Sequence, residues 1–143
     1  MSKGLPIAGA LLAVIIIGAG RASADTPAAI SGSYEAAARA AAPGFAGFSA
    51  KRGEQLFQST HGGEWSCASC HTANPLAPGR HAKTGKPIAP LAPAANAERF
   101  TSLATAEKWF KRNCNDVLER PCTAQEKGDV LAWLMSLPAK ETR

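Results

Sequence analysis

This chain of 143 residues lacks several things. It has no internal repeat and no long run of like charge, and beyond its first residue it holds a single methionine, Met135. Its 16 basic and 11 acidic side chains leave a formal charge of +5, too small and too scattered for a nucleic-acid footprint. It also lacks an apolar run of the roughly 20 residues that a spanning helix needs. The longest, residues 5–20, includes three glycines and a proline.

What the N-terminus does carry is the order of a secretory leader. A lysine at position 3 precedes the apolar run, and Arg21-Ala22-Ser23-Ala24-Asp25 supplies a small-residue cleavage site. The expectation is a cleavable signal peptide over residues 1–24 and one domain over residues 25–143, with no membrane span in the mature chain. An uncleaved anchor is the competing reading, and the shortness of the run argues against it. The mature domain has a net charge of +3. At that size a domain buries only a modest core, so a staple or cofactor would help it.

Export decides what the four cysteines mean, since an oxidising compartment such as the periplasm permits disulfides and c-type haem attachment. Cys67-Ala-Ser-Cys70-His71 is the Cys-x-x-Cys-His signal. Two thiols at this spacing reach the two vinyl groups of one haem, and the following histidine is held beneath the iron. The alternatives are an ordinary cysteine pair followed by a chance histidine, or half a zinc site, and the agreement of a leader, a single such motif and a following Pro/Gly-rich loop argues against both. The candidates are therefore Cys67 and Cys70 as thioether residues and His71 as proximal ligand of one covalent haem c. Cys114 and Cys122 then remain, and in an exported chain a disulfide is the economical assignment.

Periodicity points to an all-α chain. Helices are expected over residues 33–42, 49–59 and 104–118, and a last one opens on the capping box Thr123-Ala-Gln-Glu126 and stops at Pro138. Gly53 lies four residues before Phe57 on one face, which suggests close approach by another helix. Residues 74–93 contain five prolines and two glycines and are expected to be irregular, wrapped around a ligand.

The group opposite His71 is less plain. Met135, inside the last helix, reads mainly as core filler. His61 and His81 sit in turns rich in glycine or proline, where surface placement is the ordinary outcome, although imidazole is a good iron ligand wherever it reaches. Asn113 shares a helical face with Trp109, Phe110 and Val117, whereas Asn115 falls among Lys111, Arg112 and Glu119. A buried amide needs a partner, which could be iron or a hydrogen-bond acceptor. A bridge at Cys114 would stiffen the point where Asn113 is presented.

These residues carry two resemblances. "GEQLF" with "DVLAWL" resembles the crossing helix pair of the class I cytochromes c, which implies that fold around one covalently bound haem, with a Pro/Gly-rich irregular middle. The haem motif, "TGKPIAPLAP", "ERFT", "EKWFKRNCNDV" and "CTAQEKGDVLAWL" together resemble the sphaeroides haem protein family of oxygen-binding cytochromes c. That resemblance implies Asn113 as sixth ligand, released on reduction so that ferrous haem takes oxygen, nitric oxide or carbon monoxide. It also implies a dihaem cytochrome c and a membrane b-type cytochrome as redox partners, and leaves open weak oxidase or nitric oxide-handling activity. A sister group similar to cytochrome c double-prime carries a histidine where this chain has Asn113. The alternative function is simple electron transfer with a permanently occupied sixth site.

Overall fold

In the computed structural model, which describes residue 1 and residues 24–138, every helix starts on a serine or threonine. Thr26, Ser49, Ser66, Ser102 and Thr123 each accept a hydrogen bond from a backbone N–H three residues on. A helix start leaves N–H groups orphaned, and these side-chain oxygens satisfy one each. The helices are α1 (Pro27–Ala41), α2 (Ala50–Gln58), α3 (Cys67–His71), α4 (Leu103–Leu118) and α5 (Ala124–Ser136). Residues 2–23, where the leader is expected, lie outside the described part. No helix among the described residues is long and apolar enough to cross a membrane.

One boundary differs from the sequence expectation. The first helix begins at Pro27, six residues earlier than the alanine-rich stretch alone suggested. Thr26 caps it and Pro27 occupies its first turn, where a missing N–H costs nothing. The added turn places Ile30 in register with Tyr34 and Ala38, all three buried, and this stripe packs α1 on α5.

Gly53 decides how closely α2 and α5 cross. A Cβ there would overlap the backbone carbonyl of Asp129. The crossing is locked by the Asp129 carboxylate, which is 4% exposed. It accepts from Ser49 N at 2.6 Å, Arg52 Nε at 2.7 Å and Arg52 Nη2 at 2.9 Å. A buried carboxylate is tolerable only when its lone pairs are matched in this way.

Two apolar clusters sit around α5. Phe57, Ala92, Val130, Trp133 and Leu134 form one, and Ile30, Tyr34, Ala106 and Leu131 the other. The middle segment is mostly turns, with one two-residue antiparallel ladder, β1 (Gly79–Arg80) against β2 (Pro87–Ile88). It is tied down at Pro75, whose carbonyl accepts from Leu91 N and Ala92 N, both at 3.0 Å.

Candidate functional site

The five residues of α3 are the Cys-x-x-Cys-His motif itself. Ser66 and Ser69 form a reciprocal capping box that starts the helix. Thr72, at φ 63°, ends it. A β-branched residue is strained in that region, and its hydroxyl donates to Asn74 O at 2.7 Å. β1 lies directly on the motif: a Cβ at Gly79 would collide with the Cys70 carbonyl. Ala82 N also donates to Cys70 Sγ at 3.3 Å. The motif is thus held from both chain directions by backbone.

His71 stands beside Phe57, ring centroids 6.3 Å apart, and Phe57 in turn packs on Trp133 at 4.9 Å. Burial pushes the His71 imidazole down to about 4, helped by the nearby Arg99 charge. A neutral imidazole is the form that ligates a metal. Its Nδ1 is buried without a partner. Cys67 and Cys70 are free thiols, and burial, reinforced by Cys70 and opposed by a backbone hydrogen bond, pushes Cys67 up to about 11.

Arg99 is a feature that sequence pattern did not single out. It is half-buried and donates to two carbonyls, Pro90 O from Nε at 2.9 Å and Ala89 O from Nη2 at 2.7 Å. No carboxylate lies within ion-pair reach of it among the described residues. Phe100 follows it at φ 57°, strained for an aromatic residue, and packs against both apolar clusters. Strain of this kind persists only where surrounding structure enforces it.

On α4, Asn113 is half-buried and Asn115 exposed. Ala106, Cys114 and Val117 are buried along the helix, and Phe110, one turn before Asn113, contacts the Tyr34 ring edge-on at 5.9 Å. The Asn113 amide makes no side-chain hydrogen bond among the described residues, and its polar atoms are not fully buried. Cys114 and Cys122 are bonded through sulfur, Cα atoms 5.6 Å apart. Trp109, placed by helical spacing with the apolar side, is instead 45% exposed.

The other candidates are occupied or turned outward. His61 is exposed, with Nε2 2.8 Å from Leu56 O. His81 accepts from Thr84 N at 3.3 Å through Nδ1. Met135 is 43% exposed.

These residues fit a haem. Two free thiols flank one helical turn, an orphaned neutral imidazole follows them, and a guanidinium without a carboxylate stands near. Leu76, Leu91, Phe100 and Phe110 pack on the core yet stay partly exposed, as walls of an apolar ligand site would.

Comparisons agree with this geometry. Residues 43–134 match the family described as a domain of unknown function, DUF1924. The chain is 45% identical over 128 residues to cytochrome c-type protein SHP of Cereibacter sphaeroides, covering 87% of this chain and 94% of that protein. The structure of oxidized SHP, described as an oxygen-binding cytochrome c, superposes with a TM-score of 0.68 at 48% identity, over 79% of this chain and 99% of that one. Oxidized cytochrome c'' of Methylophilus methylotrophus superposes with a TM-score of 0.68 at 36% identity, over 77% and 93% of the two chains.

Proposed function

Because the chain belongs to the DUF1924 family and to that of the cytochrome c-type protein SHP, we propose that it is an exported monohaem c-type cytochrome whose reduced form binds a diatomic gas. In this reading Cys67 and Cys70 carry the thioether bonds and His71 is the proximal ligand. The haem supplies a one-electron couple and one coordination position that can open.

The remaining roles belong to the chain. Burial keeps His71 neutral and thereby available to a metal. Phe57 stands beside its ring and is backed by Trp133, which keeps water from that side. Arg99, half-buried and bonded only to carbonyls, is placed to pair with a carboxylate of the haem. Asn113 would be the residue of α4 that holds the iron opposite His71, and because an amide is a weak donor for softer ferrous iron it would be held less firmly after reduction, leaving room for a gas. The Cys114–Cys122 bridge limits how far the released segment can travel.

The observation that carries this reading is Asn113: on a half-buried residue, an amide with no protein hydrogen-bond partner among the described residues, fixed one position before a bridged cysteine. Periplasmic electron exchange with a dihaem cytochrome c and a membrane b-type cytochrome is the setting we propose for it.

Optical spectra of wild type and variants test the assignment. Asn113→Ala should give high-spin ferric haem and leave the ferrous spectrum, with or without carbon monoxide, little changed. Asn113→His should hold the site shut and slow capture of carbon monoxide, since imidazole is the stronger donor. Asn115→Ala, on the exposed face, should do neither. An unchanged ferric spectrum in Asn113→Ala, or the same change from Asn115→Ala, defeats the assignment.

A further inference from the structure

α4 carries a group of exposed side chains that the haem reading does not use. Trp109 is one of the few large apolar side chains open to solvent, and it packs into neither apolar cluster. Lys108 Nζ lies 5.8 Å and Arg112 Cζ 5.9 Å from its ring centroid. With Lys111, these cations border a surface hollow of about 460 Å³ that Asn115, Asp116 and Pro121 complete. None of Lys108, Lys111 and Arg112 is in an ion pair among the described residues.

Such a face does little for the fold. Like charges on neighbouring turns repel one another, and an exposed indole leaves apolar area in water. Both features suit binding, because tryptophan and arginine are over-represented among residues that dominate interface energetics. Three unpaired cations against the single acid Asp116 select a partner of negative charge and speed its approach. Asn113 follows Trp109 by four residues and so lies one turn along the same side of α4, which puts this surface next to the proposed distal side.

We propose that Lys108, Trp109, Lys111 and Arg112 form the docking surface for an acidic electron-donor protein. The donor loses one electron and the ferric haem gains it, with no bond made or broken. This rests on the haem reading above and names the surface through which that haem is reduced.

The test is stopped-flow reduction of the ferric holoprotein by two donors. Reduced flavodoxin serves as an acidic one-electron protein, and the photogenerated 5-deazariboflavin radical as an uncharged reductant. In the Lys108→Glu/Lys111→Glu/Arg112→Glu variant, the flavodoxin rate at low salt should fall about tenfold or more and lose most of its salt dependence, while the deazaflavin rate is kept. Lys51→Glu/Lys83→Glu/Lys86→Glu makes the same change in net charge on exposed residues elsewhere and should retain most of the flavodoxin rate. Trp109→Ala should keep the salt dependence but weaken saturation by flavodoxin. The proposal is overturned if the α4 variant reacts with flavodoxin like wild type, or if the Lys51, Lys83 and Lys86 variant loses as much. Ferric and ferrous–carbon monoxide spectra of each variant report the haem reading separately, since wild-type spectra without haem signatures would sink that reading whatever the rates.

Discussion

Replacing Gly53 by alanine is expected to destabilise the protein severely, although the same change at an ordinary helical glycine stabilises. The favourable part is helix propensity, about 1 kcal/mol. Against it, the new Cβ would overlap the Asp129 carbonyl carbon and oxygen and stand 2.8 Å from Val130 N. Carbon contacts settle near 3.5 to 4.0 Å, and backbone atoms have no rotamer through which to escape, so the helices must part by about 1 to 2 Å. Overpacking of this kind costs about 1 to 3 kcal/mol. Parting also stretches the bonds to the Asp129 carboxylate from Ser49 N and Arg52, and stranding a buried charge costs about 3 to 5 kcal/mol. The net loss is about 3 to 7 kcal/mol, a large share of the roughly 5 to 15 kcal/mol that a domain possesses. Urea denaturation followed by far-ultraviolet circular dichroism and by Soret absorbance measures it. Gly32→Ala in α1, where nothing lies within 4 Å of the added carbon, is the matched control and should gain up to about 1 kcal/mol. A Gly53→Ala protein as stable as wild type would refute the close crossing.

Three further outcomes are expected. Cys114→Ser opens a nine-residue loop and should lower stability by about 2.6 kcal/mol by chain-entropy arithmetic, with haem content unchanged by pyridine haemochrome assay; two free thiols in the wild-type protein would rule the bridge out. Arg99→Gln should retain haem but lower the midpoint potential and make it fall with rising pH near neutrality, because a haem carboxylate without its cation titrates higher and, once ionised, favours ferric iron; potentiometry showing a wild-type curve would return Arg99 to a purely structural role. The guanidinium of Arg120 holds the Glu126 carboxyl below its usual value of 4.5, through hydrogen bonds at 2.9 and 2.7 Å. A depressed folded value means stability present above 4.5 and lost as pH falls through the lower folded value. Thermal melts of wild type and Glu126→Gln should therefore differ near pH 6 and converge in acid, and a constant difference would contradict the coupling.

What the sequence determined by itself was local. The Cys-x-x-Cys-His spacing points to its cofactor because two thioethers and a ligand must come from one helical turn, and Cys67–His71 is that turn in the structure. The Thr123 capping box marked the start of α5 because a cap is satisfied within four residues. Helical spacing alone separated half-buried Asn113 from exposed Asn115, and the bareness of Gly53 implied the neighbour that proved to be Asp129. Contacts between distant segments decided the rest. Trp109 belongs by period to the apolar side of α4 yet is exposed, since a period fixes a direction around the helix axis but not what lies there. His61 could reach iron by its sequence position, but a turn at φ 54° brings its ring to Leu56 O. Arg99 looked like any surface cation until the carbonyls of Ala89 and Pro90 closed on it. That chain reversal comes from the middle segment folding back on Pro75, and its turns carry no periodic signal because their geometry is set by what they pack against.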